Sequence, residues 1–428
     1  MKISKNFLIE SFLIICIKLL LEYSYIIFIY PIFSYTGYNY FFNFENYLLS
    51  WFVTLLIFVL IYNKKEHTVS IVYYFIFLLY VIPNSVYFSL SNQSITSYLI
   101  LMIPFIVILL FTINIKIYRL KTINYSKPLI LLVALLFTLV TILHYFYATS
   151  GHMTFSLLTV YDFREQYHEI SSSGIFGYLN SWVPKIFIIL LLIWSIEYKK
   201  YLMSIFFFSF VILLFLLSGH KSVFSGFFLV FVLYIILRNE NISLTMMRYF
   251  LYFIIILLIL IMFFDMTILG SILIRRLLFV PPYLNFVYIE YFSTHIHPYW
   301  SDSFMKYFIE YPYDINLAKV IGTFLGHPKE NANTGFIASG YAQGGLFGVI
   351  LYTVIAIFLF NIIHILSRNM NKVFFIAIIL LPILTLFLSS DFFTTLLTHG
   401  LIISIMVLYM YNNKNYILKF KNKKLMKV

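Results

Sequence analysis

The sequence predicts an all-α polytopic integral membrane protein, with about 12 transmembrane helices and a large outer loop containing short amphipathic helices. Composition is the first reason. The 428 residues are 62% hydrophobic and only 11% charged, against roughly 25% charged in an average soluble chain. Apolar runs of about 20 residues, the length that crosses a bilayer, recur along the chain. Basic residues gather at alternate connections between those runs, as the positive-inside rule expects. The same composition excludes a soluble enzyme, a disordered chain and a disulfide-stapled secreted domain. The single cysteine, Cys16, cannot form an intramolecular disulfide.

The chain enters its first apolar stretch after Met1-Lys2-Ile3-Ser4-Lys5. That stretch outruns a signal-peptide core and lacks a small-residue cleavage site, so it reads as a retained helix over 7–30. Further spans are expected at 46–62, 69–90, 97–115, 128–147, 176–196, 201–218, 222–238, 248–266, 343–366, 372–389 and 392–411. Ser218-Gly219-His220-Lys221 leaves room only for a tight hairpin between two of them. Two connections are long, 148–175 and 267–342. The second carries Pro281-Pro282, Pro298, Pro312 and Pro328 as breakers between short apolar stretches, so surface-lying amphipathic helices are expected there. A basic tail, 412–428, follows the last span and is expected in the cytoplasm; no internal repeat is visible.

With the connections numbered alternately and the N-terminus inside, the inner set holds about 20 of the 29 basic residues and about 3 of the 16 acidic ones. The outer set is slightly acidic. The net charge of +13 is therefore a topology signal with both ends cytoplasmic, and does not argue for nucleic acid as a partner. Aromatics reach 21%, with 49 Phe and 37 Tyr. Their abundance fits sugar stacking or an interfacial belt, and equally an A/T-rich coding bias.

Basic residues on the outer side depart from this pattern and draw attention. Arg164 sits in Asp162-Phe163-Arg164-Glu165 of the first long loop, where its guanidinium suits a phosphate or the loop is simply solvated. His220 and Lys221 fall at the hairpin tip, for a ligand or for snorkelling to headgroups. Arg275-Arg276 follow the ninth span and suit a diphosphate at the outer leaflet, or lipid headgroups alone. His295 and His297 lack a third ligand at a fixed spacing, so no metal site is expected, and no cofactor. Asn331-Ala332-Asn333-Thr334-Gly335 offers amides and hydroxyls to sugar hydroxyls, as does Tyr341 just beyond it. Gly340, Gly344 and Gly348 fall four apart, expected on one helix face that another backbone or a substrate can approach. Lys18 and Glu22 are spaced to pair within the first span, and Glu22, Lys185, Asp265, Asp391 and His399 fall toward the outer ends of spans.

This arrangement resembles the bacterial O-antigen and capsule repeat-unit polymerases of the Wzy type. The matching features are the many-spanning layout, the large outer loop before the last three spans, and Gly219-His220-Lys221-Ser222. Arg276 followed by Val280-Pro281, and Asn331 to Gly335 running into Gly340 and Gly345, complete the match. The likeness in layout covers most of the chain. It implies glycosyl transfer at the outer face of the bacterial cytoplasmic membrane, moving a growing glycan from undecaprenyl diphosphate onto a new lipid-linked repeat unit. It implies an undecaprenyl-diphosphate-linked oligosaccharide and membrane lipid as partners, with a chain-length regulator and a flippase alongside. Arg164, Lys221 and Arg276 carry over as diphosphate-binding residues, with Arg275 a neighbour that the motif does not separate. His327 and Glu290 are candidates for the base that accepts the hydroxyl proton. A lipid-linked oligosaccharide flippase or other transporter, and an O-antigen ligase, are the alternatives.

Overall fold

A computed structural model describes residues 4–112, 126–154, 163, 166–167, 170, 173–219, 221–368 and 370–411. The described residues are helical apart from turns, irregular connecting segments and one isolated bridge, Phe41 with Ser91. Ten helices are long and apolar enough to cross a membrane. They are α1 (Lys5–Thr36), α2 (Phe44–Tyr62), α3 (Ser70–Leu90), α5 (Ser126–Ala148), α6 (Phe176–Glu197), α7 (Tyr201–Ser218), α9 (Ile242–Phe264), α10 (Thr267–Phe292), α12 (Phe336–Ser367) and α14 (Phe392–Tyr411). Three apolar helices are slightly shorter: α4 (Ile95–Phe111), α8 (Lys221–Ile236) and α13 (Lys372–Leu388). One short amphipathic helix, α11 (Leu317–Phe324), lies between α10 and α12.

Every expected span has its helix. The difference lies in 267–342, expected as a loop with short helices. Its first third is one 26-residue helix, α10. Arg275-Arg276 and Pro281-Pro282 make that stretch look broken in sequence. The wider turn over Ser271–Phe279 and the placement of Pro281 in the first turn that follows let the helix continue. The same device recurs at Tyr25–Ile29 before Pro31, at Phe77–Val81 before Pro83, and at Val183–Phe187 around Pro184.

Contacts divide the chain into two compact units. The first comprises Met1–Phe111, Arg238–Leu359 and Leu384–Phe392. Its centre is α3, apolar on all sides and buried along its whole length. Several polar side chains of α3 find partners within the unit: Tyr74 donates to Glu10 (3.0 Å), Tyr80 to the Leu101 carbonyl (3.2 Å), and Ser85 meets Tyr98 (2.8 Å). Glu10 also accepts from Ser243, which ties α1 to α9. Lys18 is fully buried, paired with Glu22, bonded to Ser50 and held over the Trp51 ring. The second unit comprises Thr112–Leu237, Phe360–Ile383 and Phe393–Val428. There α5 packs against α6, α7 and the second half of α14, and α7 against α8.

Candidate functional site

The glycine-rich stretch of α12 does not form one continuous helix. The chain breaks at Gly344 (φ −159°, ψ 29°) and Gly345 (φ 58°, ψ −142°), and the second of these combinations is reserved for glycine. The two arms fold toward each other. Gly340 and Gly348 would stand about 12 Å apart in an unbroken helix, yet a Cβ added at Gly348 would overlap the Gly340 carbonyl oxygen. The expectation that Gly340, Gly344 and Gly348 line one helix face is therefore corrected. The glycines serve the reversal and the close approach of the two arms.

The reversal gathers a polar network in the first unit. Ser339 and Gln343 come from the first arm and Tyr352 from the second. Trp300 and Asp302 come from the segment after α10, and Asp391 from the turn before α14. One oxygen of Asp391 accepts from the Tyr352 hydroxyl (2.8 Å) and from Ser339 (3.1 Å). The Tyr352 oxygen accepts in turn from the Trp300 indole N–H (2.7 Å). The Trp300 backbone N–H donates to the Gln343 amide oxygen (2.8 Å), and the Gln343 amide nitrogen donates to both oxygens of Asp302 (3.2 and 3.3 Å). Asp302 is exposed on the side away from these partners. Burial among these groups raises its carboxyl above the ordinary carboxylate range; the Gln343 bond opposes this and the Asp391 charge adds to it. The network thus presents a carboxylate flanked by an indole, an amide and a phenol, groups that suit sugar recognition.

A second string of buried groups fixes the loop before α12. Thr334 donates to Asn285 (2.7 Å), Asn285 to Asn84 (3.1 Å), and Tyr288 to the Ala332 carbonyl (2.7 Å). Asn331 and Asn333 are left exposed beside it, as is His327. Tyr341 sets its ring across that of His297 (centroids 5.8 Å apart), whose Nδ1–H donates to the Ala342 carbonyl (3.0 Å). His295 stacks on Tyr291. No group of metal-binding side chains is found among the described residues.

α10 also places the two arginines. The Arg275 guanidinium lies 4.4 Å from the Phe33 ring centroid, and its Nε is buried with no hydrogen-bond partner. It borders a cluster of Tyr25, Tyr38, Tyr87 and Tyr283. The Tyr38 hydroxyl is buried there, likewise without a partner. Burial pushes that phenol up, Tyr87 adds to the effect and Arg275 opposes it. Gly37 (φ +97°) lets the chain turn against the Tyr283 hydroxyl, which a Cβ would strike. Arg276 and Glu290 are exposed on the same helix. Arg275 Nε and Tyr38 Oη are thus two buried donors left without an acceptor.

Arg275, Arg276, Glu290, His327, Asn331, Asn333 and Tyr341 all belong to the first unit. Arg164 and His220 lie outside the described residues, and Lys221 opens α8 in the second unit. The sequence reading did not single out Asp302, Gln343, Trp300, Tyr352 or Tyr38. Asp391 alone of the network had a signal, as a charge at the end of an apolar run. Comparison with protein-family models, curated proteins and solved structures gives no match.

Proposed function

We propose that this protein is a membrane glycosyltransferase that polymerises undecaprenyl-diphosphate-linked oligosaccharide repeat units into a surface polysaccharide. In this reading it sits in the bacterial cytoplasmic membrane with the Asp302 network facing outward, both chain ends inside, and α10 lying at the outer face without crossing. The observation that carries it is the pairing, in one unit, of a carboxylate raised above its usual range with buried cationic and phenolic donors that lack an acceptor.

The chemistry needs both. The acceptor sugar hydroxyl attacks the anomeric carbon at the reducing end of the growing glycan. A C–O bond forms there as the bond to the diphosphate oxygen breaks, and the electron pair leaves with the lipid diphosphate. Arg275, Tyr38 and Arg276 offset the charge that gathers on the leaving group, with Arg164, His220 and Lys221 as further proposed contacts. Asp302 takes the hydroxyl proton. It fits that role better than His327 or Glu290, which have no place in the hydrogen-bonded network. Asn331, Asn333 and Tyr341 border the glycan.

The test is a deletion strain. Single repeat units on lipid carrier should accumulate and long polymer should disappear. Long-chain glycan unaltered in that strain would contradict the proposal. Repeat units stranded on the cytoplasmic leaflet would indicate a flippase, and polymer made but never transferred to its final lipid anchor a ligase.

A further inference from the structure

The second unit holds a charged cluster near the middle of a candidate span. Lys185 lies roughly 14 Å along α6 from Phe176 and roughly 18 Å from Glu197, at 1.5 Å per residue. Its Nζ is 3.0 Å from His399 Nδ1, and Ser181 Oγ, one turn earlier on α6, is 3.1 Å from the same nitrogen. All three side chains are half-buried, which leaves them open on one side. Among the described residues the only salt bridge is Lys18–Glu22, so Lys185 has no carboxylate partner there.

The helix carrying His399 is broken at this point. α14 stops at Leu397 and restarts at Leu401. Gly400 takes φ +77°, and Trp182 and Ile186 press so closely on it that a Cβ would clash. The Trp182 indole donates to the Leu397 carbonyl (2.8 Å), which also accepts from the Gly400 N–H (3.2 Å). α6 is itself widened over Val183–Phe187, around Lys185. Interrupted helices with ionisable residues inside a membrane mark ligand sites more often than packing sites.

The hydrogen-bond inventory names the ligand class. The Lys185 ammonium can only donate, so His399 Nδ1 accepts one of its protons, which leaves the imidazole proton on Nε2. The ammonium keeps two further N–H groups, and the Ser181 hydroxyl stands beside them. The next helical segment, Leu401–Tyr411, begins beside His399 with first-turn N–H groups that lack helical acceptors and favour negative charge. Donors outnumber acceptors throughout, so the fitting ligand brings several acceptor oxygens and negative charge. Within an apolar span, Trp182 and Ile186 favour such a group borne on a hydrocarbon chain.

We propose that Ser181, Lys185 and His399 form a binding site for a phosphate group, independent of the polymerisation reading. The phosphate comes from a lipid headgroup or from a free phosphate or diphosphate. The test uses the full chain in nanodiscs and reads the melting temperature. One arm replaces phosphatidylcholine with phosphatidylglycerol. The other keeps phosphatidylcholine and adds inorganic pyrophosphate. The wild type should gain several degrees in one arm, which names the source. Lys185→Met and His399→Gln should abolish the gain, and Lys185→Arg should keep it. In phosphatidylcholine alone, Lys185→Met should melt at or above the wild type, because an unpaired cation is removed. No gain in either arm, a gain that Lys185→Met retains, or a lower melting point of Lys185→Met without anion would each overturn the proposal.

Discussion

Asp302 has little that marks it in the sequence, because its partners arrive from distant parts of the chain: Gln343 from 41 residues away, and Asp391 through Tyr352 and Trp300. No spacing rule reaches across such separations. Lys18 and Glu22 are the opposite case: a one-turn spacing announces the pair, and the buried salt bridge is there. Asp302→Asn should remove polymer almost completely at unchanged protein level, a loss of roughly 100-fold or more if it acts as the base. Asp302→Glu should restore a part. The pH dependence follows from the raised carboxyl. The protonated form cannot accept the hydroxyl proton, so polymerisation should fall with decreasing pH through a midpoint above the ordinary aspartate value of about 3.9. Burial is the largest cause of that shift, and the Asp391 charge adds to it. A profile flat from pH 7 down to the limit of protein stability would contradict the assignment.

At the scale of elements, hydropathy marks most spans, because α2, α3, α6, α7 and α13 coincide with apolar runs to within two or three residues. What composition hides is continuity. Prolines read as breakers at Pro281-Pro282, but a widened turn beside them re-registers the backbone bonds and α10 runs on. The glycines of α12 mislead in the other direction. A regular four-residue spacing suggests one helix face, while the backbone at Gly345 reverses. Alanine at Gly345 would force a side chain into a φ, ψ region open only to glycine, at a cost of about 1–3 kcal/mol. Gly345→Ala should therefore lower thermal stability and, by moving Gln343 away from Asp302, reduce polymer more than it reduces protein. Wild-type stability in purified Gly345→Ala would show that the reversal is not required.

For the whole molecule, the fold class follows from composition alone, since a chain with this little charge must bury its surface in lipid. The two-unit division and the site do not follow, because both depend on which helices pack together. The proposed orientation turns residues 293–335 outward, against the basic connections inside. Asn331→Cys in a Cys16→Ser background should then react with a membrane-impermeant maleimide in cells with a permeabilised outer layer, as Asn331 is exposed. Reaction only after the cytoplasmic membrane is opened would reverse the topology. The central claim is the transfer itself, and reconstitution addresses it most directly. Purified protein in liposomes is supplied with a polyprenyl-diphosphate-linked repeat unit, and products are resolved by length. The account predicts a ladder of lipid-linked polymers, with one polyprenyl diphosphate released per new linkage and none formed by Asp302→Asn. Repeat units that remain single with active wild-type protein, or a ladder undiminished in Asp302→Asn, would contradict it.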